Sequence, residues 1–265
     1  ITTDHAVVGW GDPGLPDLHG MYWSSSNDFT EAMYYRLAQA VSFSNSFIKN
    51  ASELSGDEVS VFVSEARFLR AYAYYNLLDL YGNVPLTTEI TTELPTQSNR
   101  TELFNFIESE LMDIESTLLA SNEYGRVDNI AAHALLSRLY LNAEAWTGQD
   151  RYADCVTYSQ NVINSGYTLN MNDANGNGTA YDELFMADND VNGAQNEFIF
   201  TLNFDGMQSQ TYGGTTFLVH AAIGGSMNPG NFGVNGGWGG LRTTKNLVNQ
   251  FTVDLDALNS SLGSQ

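Results

Sequence analysis

The stretch Ser64–Leu86, S-E-A-R-F-L-R-A-Y-A-Y-Y-N-L-L-D-L-Y-G-N-V-P-L, decides the fold. Ala66, Leu69, Ala73, Leu77 and Leu80 recur at steps of three and four, which draws one apolar stripe along a helix. Phe68, Tyr72, Tyr75 and Leu78 widen that stripe over most of the circumference, so the helix is expected inside a core. Glu65, Arg67 and Arg70 fall near its start and are expected outside the stripe or paired within it. Gly82 stands where a left-handed C-cap belongs, and Pro85 prevents the helix from resuming. A tyrosine-rich face at this spacing is packing, not a ligand cradle. The helix therefore sets the architecture and leaves the site to be found elsewhere.

Further helical patterns lie on both sides. Asp28 or Thr30 can cap a helix running to about Lys49, with Met33, Leu37, Ala40, Val41, Phe47 and Ile48 on one face. From Thr101, Leu103, Ile107, Leu111, Ile114 and Leu118 follow a helical period, and the run opened by Asn129 is apolar nearly all round. Arg151–Ser165 makes one more helix, closed by Gly166. Helices in pairs with small residues at their crossings predict tetratricopeptide-like hairpins. After Tyr167 the texture changes to Asn, Gly, Asp and Thr, with one strand-like run, Glu197–Asn203. The glycine pairs 213–214, 224–225, 236–237 and 239–240 predict long, turn-rich loops, and ordered loops of that length tend to carry function. The expected fold is mainly α: a helical-repeat core over about 28–168, with a loop-rich, partly β binding region over about 1–27 and 169–265.

Composition narrows the partners. The 265 residues carry 31 acidic against 10 basic side chains, a net charge of −21. Such a field repels phosphate backbones and anionic lipid, which argues against nucleic acid and direct membrane-surface binding. Anionic polysaccharides are disfavoured too, unless a local basic patch or a metal compensates. Cys155 is the sole cysteine, so there is no internal disulfide, and its helical small-residue position suits a buried structural thiol. No run approaches the roughly 20 apolar residues of a membrane span.

Several motifs together resemble one family. The stretch Ser64–Leu86 resembles the signature helix of the SusD/RagB family of outer-membrane glycan-binding lipoproteins. A-A-H-A-L-L-S-R-L-Y-L-N-A (131–143) and the run Tyr152–Leu169 look like its next helical landmarks, in the expected order. G-G-W-G-G-L-R-T-T-K-N-L-V-N-Q-F (236–251) resembles its Gly-Trp motif and following helix. The landmarks span about residues 3–251, yet family members are typically much longer. The chain is thus expected to be a fragment, without the lipobox segment and most of the C-terminal half. The resemblance implies a surface glycan-binding protein that delivers polysaccharide or oligosaccharide to a SusC-like, TonB-dependent transporter.

A sugar ring offers apolar C–H faces, and stacking them on Trp or Tyr removes apolar area from water while the hydroxyls stay hydrogen-bonded. Trp10, Trp23 and Trp238 all lie in Gly- or Ser-rich non-helical stretches, whereas Trp146 on its helix reads as a core plug. By segment, the resemblance points to Trp10, Tyr22, Trp23 and Asn27, then Tyr212, Asn231, Phe232 and Trp238, as the glycan platform. The plainer reading of each tryptophan is packing.

Asp173, Asn175 and Asn177 start like a calcium loop, but the position due to a bidentate Glu is Leu184. An Asx-rich turn is the expectation there, with calcium the lesser alternative. No G-x-S-x-G, H-E-x-x-H or P-loop occurs, and the four histidines are scattered, with His133 read as a satisfied core residue. The sequence therefore predicts binding without catalysis. The alternative is a helical-repeat adaptor, or a peptide-uptake subunit, whose ligand is protein or peptide.

Overall fold

The computed structural model describes residues 2–204, 208 and 214–251. In chain order its elements are β1 (Ala6–Val8), α1 (Leu15–Gly20), α2 (Asp28–Ala51), α3 (Asp57–Tyr81), α4 (Arg100–Ile114), α5 (Asn129–Leu141), α6 (Ala143–Thr147), α7 (Tyr152–Ile163), α8 (Gly214–Ala222), β2 (Leu241–Thr243) and α9 (Lys245–Val248). The fold is mainly α, as predicted. Contacts divide the chain into two units: Tyr34–Leu202, and Ile1–Met33 with Asn203–Gln265. Among the described residues, no helix is long and apolar enough to cross a membrane.

The helical unit is built on α3, which packs on α4, while α5 packs on α7 in a second hairpin. Ala66, Phe68, Ala71, Ala73, Tyr74, Tyr75, Leu77 and Leu78 of α3 are all buried. The buried arc is rotated from the stripe drawn on sequence: Leu69 and Leu80 lie just beyond its edge, 41% and 55% exposed. Two polar residues turn the helix that way. Tyr74 Oη donates to the Thr87 carbonyl at 3.0 Å and accepts from the Thr87 N–H at 2.8 Å. Arg70, 5% exposed, donates to Asn45 Oδ1 at 2.8 Å and pairs with Glu110 at 2.5 Å. Arg67 clamps the other Glu110 oxygen at 2.7 Å and reaches the exposed Asp113, while Glu65 pairs with Arg126 at 2.6 Å. Glu65, Arg67 and Arg70, the three charged residues near the start of the signature stretch, are thus paired.

On α4, Leu103, Ile107, Leu111 and Ile114 face the core with Leu118 just beyond, as their spacing predicts. Its cap is Asn99, whose side chain accepts from the Glu102 N–H while Glu102 reaches back, a reciprocal capping box. Asp128 caps α5 and also accepts from Tyr167 Oη at 2.7 Å. Burial, then this hydrogen bond to a carboxylate, pushes the Tyr167 phenol up. Between α5 and α7, Ser137 Oγ meets Ser159 Oγ at 2.6 Å and Cys155 Sγ at 3.7 Å. Cys155 is half-buried, and Arg151 is drawn away from it to Asp154 and Glu108.

Two expectations are corrected. Glu197–Asn203 forms no strand, because it finds no partner; instead Phe200 packs edge-on against Phe68 at 5.3 Å and Tyr72 at 5.9 Å. Among the described residues the strands are β1 and β2. His133 is only half-buried: Nε2 lies 3.5 Å from Glu115, and Nδ1 has no partner among the described residues. Gly82 ends α3 as predicted, at φ +74° and with its N–H on the Leu78 carbonyl. It also leaves room for Arg100, since a Cβ there would stand 2.7 Å from Arg100 Nε.

This geometry sets the outcome of three substitutions. Glu110→Ala strands Arg70 in the core and is expected to lower the urea-unfolding free energy by about 3–5 kcal/mol. Asp113→Ala, removing the exposed partner, should stay within about 0.5 kcal/mol of the parent. Gly82→Ala combines a left-handed backbone with the Arg100 clash, and is expected to cost about 1 kcal/mol or more in the same assay.

Candidate functional site

In the unit formed by Ile1–Met33 and Asn203–Gln265, β1 and β2 pair antiparallel, with Ala6 opposite Thr243, Val7 opposite Arg242 and Val8 opposite Leu241. The pairing extends at both ends: Gly9 N–H donates to the Gly240 carbonyl at 2.8 Å, and Thr244 N–H to the His5 carbonyl at 3.1 Å. Thr244 Oγ1 donates to the Asp4 carbonyl as well. Continued one step past Gly9, this register sets Trp10 beside the Trp238–Gly239 segment. The two indoles lie 6.4 Å apart at 54°.

Helix α8 completes the cluster. Phe217 lies 5.8 Å from Trp10 and 6.3 Å from Trp238, and His220 lies 5.0 Å from Trp238. The Trp238 N–H donates to the His220 carbonyl at 2.7 Å, and the Gly239 N–H to the Ile223 carbonyl at 2.8 Å. His220 Nδ1 stands 3.0 Å from the Thr216 carbonyl, which directs Nε2 away from the helix. The glycines flanking Trp238 serve close approach more than turning. A Cβ on Gly240 would enter the Trp10 indole, and one on Gly237 would strike the Ile223 carbonyl. Trp10 is half-buried and Trp238 is 37% exposed, so the pair is anchored yet open on one side.

Tyr22 and Trp23 follow α1 on a loop that turns at Met21, a non-glycine residue at φ +59°. They are 66% and 42% exposed. Asn27 closes the base of this loop: Nδ2 donates to the Gly14 carbonyl at 2.9 Å, and Oδ1 accepts from the Phe29 and Thr30 N–H groups. Asn27, not Asp28 or Thr30, therefore caps α2. Buried and committed at both ends of its amide, it positions the loop. Asn231 and Phe232 sit exposed on the 3-10 turn Pro229–Phe232, which Asn228 caps. Tyr212 lies outside the described residues. The structure thus brings Trp10 and Trp238 together; no ring contact among the described residues joins Tyr22, Trp23 or Phe232 to them. Phe217 and His220 escaped the sequence reading, although their three-residue spacing in F-L-V-H-A-A is a helical signal.

The segment from Asp173 closes on itself. Asp173 accepts from the N–H groups of Gly176, Asn177 and Gly178, and the Asn175 and Asn177 amides both donate to Asp182 Oδ2. Those amides, that of Asn175 foremost, hold the Asp182 carboxyl below the usual range. This is the hydrogen bonding of an Asx-rich turn. Among the described residues, no group of three or more His, Cys, Asp or Glu is placed to hold a metal ion.

A SusD-like family model, described as "Starch-binding associating with outer membrane", matches residues 19–141. The starch-binding protein SusD of Bacteroides thetaiotaomicron is 34% identical over 260 residues, covering 97% of this chain and 45% of SusD. The chain therefore spans less than half the length of that relative. Among solved structures, a SusD-like protein from Bacteroides fragilis matches with a TM-score of 0.75 at 24% identity, over 94% of this chain and 48% of that one. A structure solved with xylogluco-oligosaccharide matches with a TM-score of 0.77 at 21% identity, over 94% and 49%. At those identities the two structures speak for the fold alone. A family match over the signature helix and its neighbours, joined to 34% identity along nearly the whole chain, identifies the SusD-like family as the one this chain is similar to.

Proposed function

We propose that this chain belongs to a surface protein that binds polysaccharide or oligosaccharide at the outer membrane and passes it to a SusC-like, TonB-dependent transporter, without chemistry of its own. The observation that carries the reading is the Trp10–Trp238 pair, held by Gly240 and α8 with one side exposed. An indole fixed in this way offers a sugar ring a flat apolar face at little entropic cost. Tyr22, Trp23, Asn231, Phe232 and Tyr212 are the further contact candidates, and Asn27 supports the loop that carries two of them. Neutral glucans suit the net charge of −21 better than anionic chains do at this platform. Attachment to the membrane would run through a lipid anchor, not through a spanning helix.

Affinity electrophoresis in gels of starch, laminarin, levan, xylan, mannan and alginate tests the binding step. Retardation by at least one neutral glucan is expected, and Trp238→Ala should weaken it about tenfold, the loss of one stacking contact. Retardation of Trp238→Ala equal to the parent's in every gel would remove this cluster from the site.

A second reading, a helical-repeat adaptor for protein or peptide, is favoured by one observation. Helix α7 leaves Val156 and Ile163 68% and 70% exposed on the helical unit. Pull-down of detergent-solubilised outer membrane separates the two. Recovery of a TonB-dependent transporter together with glycan retardation supports the uptake role. Transporter recovery without any glycan binding would favour the adaptor.

A further inference from the structure

The helical unit carries a second feature that the glycan reading does not use. A cleft of about 620 Å³ opens where α3 ends and α4 begins, lined by Asn83, Asn99, Arg100, Thr101, Glu102 and Trp146. We propose that this cleft binds a carboxylate-bearing sugar, a uronic acid residue, with the ring on Trp146 and the carboxylate on Arg100.

The donors come from side chains that folding leaves unused. Arg67, Arg70, Arg126 and Arg151 are each ion-paired, and Arg138 lies over the Tyr75 ring. Arg100 has no acceptor among the described residues. Its guanidinium instead lies across Gly82, where the missing Cβ makes room for it. Among the described residues no salt bridge reaches Arg36, Arg138 or Arg242 either, but Arg138 lies over a ring and Arg242 donates to the Leu241 carbonyl, whereas the Arg100 guanidinium borders the cleft. The amides beside it are polarised the same way. Asn83 Oδ1 accepts from the Arg100 N–H at 3.1 Å, and Asn99 Oδ1 from the Glu102 N–H at 3.0 Å. Their oxygens committed, both offer Nδ2 as a donor. Glu102, the one carboxylate in the lining, is turned back onto the Asn99 N–H at 3.0 Å. The Asn99, Arg100 and Glu102 N–H groups at the helix start are thus satisfied, and the side chains are what the cleft offers.

Trp146 supplies the platform. It meets the buried Tyr75 at 5.8 Å and 89°, an edge contact that fixes the indole while leaving the residue half-exposed. An aromatic face beside a planar guanidinium fork and two amide donors matches the C–H face and the carboxylate of a uronic acid. The net charge does not forbid this, because at physiological salt distant carboxylates are screened beyond about 8 Å. This site stands on its own residues and does not rest on the Trp10–Trp238 cluster.

The test uses the four indole N–H signals of the ¹⁵N-labelled chain, with that of Trp146 assigned by Trp146→Phe. Digalacturonic acid is expected to move the Trp146 signal saturably, and raised sodium chloride to weaken the response. In Arg100→Gln, an exposed substitution that leaves the core intact, binding should fall about tenfold. No movement with digalacturonic acid overturns the proposal, as does an unchanged affinity in Arg100→Gln. Equal movement with cellobiose, or with acetate, also overturns it, since the first removes the carboxylate's part and the second the sugar's.

Discussion

Glu110 is held between two arginines of one helix, and the helical unit depends on that contact. Arg67 and Arg70 each take one of its oxygens, at 2.7 and 2.5 Å, and Arg70 continues to Asn45 on α2. One carboxylate thereby fixes α2, α3 and α4 against one another. Burying such charges costs several kcal/mol per ion, which only good geometry offsets. The benefit is discrimination: a slip of one turn along α3 would leave Arg70 and Glu110 buried apart. The network also reaches the loop after α3, since Asn45 and Tyr74 both bind the Thr87 carbonyl. That loop leads to Asn99 and Arg100, so the order of the core extends to the start of α4.

The other unit is held by different means. Few of its described residues are fully buried, Ala221 and Ile223 among them. Two short strands and a series of glycines take the place of a large core. Because Gly237, Gly239 and Gly240 carry no side chains, backbone meets backbone and ring meets backbone. Trp10, Phe217, His220 and Trp238 then pack on each other without being engulfed. A thicker core would have covered the indoles; this one supports them from a single side. The same lack of bulk that makes the unit loop-rich leaves aromatic surface for a ligand.

Much of the helical unit was legible in the sequence. The spacing of Leu103, Ile107, Leu111, Ile114 and Leu118 gave the buried face of α4 directly, because a single stripe meets a single neighbour. On α3 the pattern was apolar nearly all round, so periodicity left the exposed edge open, and Leu69 and Leu80 fell outside it. Asn27 shows another limit. Asp28 and Thr30 are good caps by type, but the loop returns through Gly14 and fixes Asn27 at the helix entrance. Glu197–Asn203 looks like a strand locally, yet pairing requires a partner that no local pattern supplies.

The candidate site divides along the same line. The sequence by itself determined which segments of the helical unit are helical, the motifs of the family, and the aromatics standing in glycine-rich stretches. These are local properties, written in spacings of three to five residues. Only the tertiary structure decided that Trp10 and Trp238, from opposite ends of the chain, share one cluster with α8, and that Arg100 lies across Gly82 beside Trp146. Both follow from strand register and close backbone approach, which join residues distant in sequence, and a one-dimensional pattern carries no record of such distances.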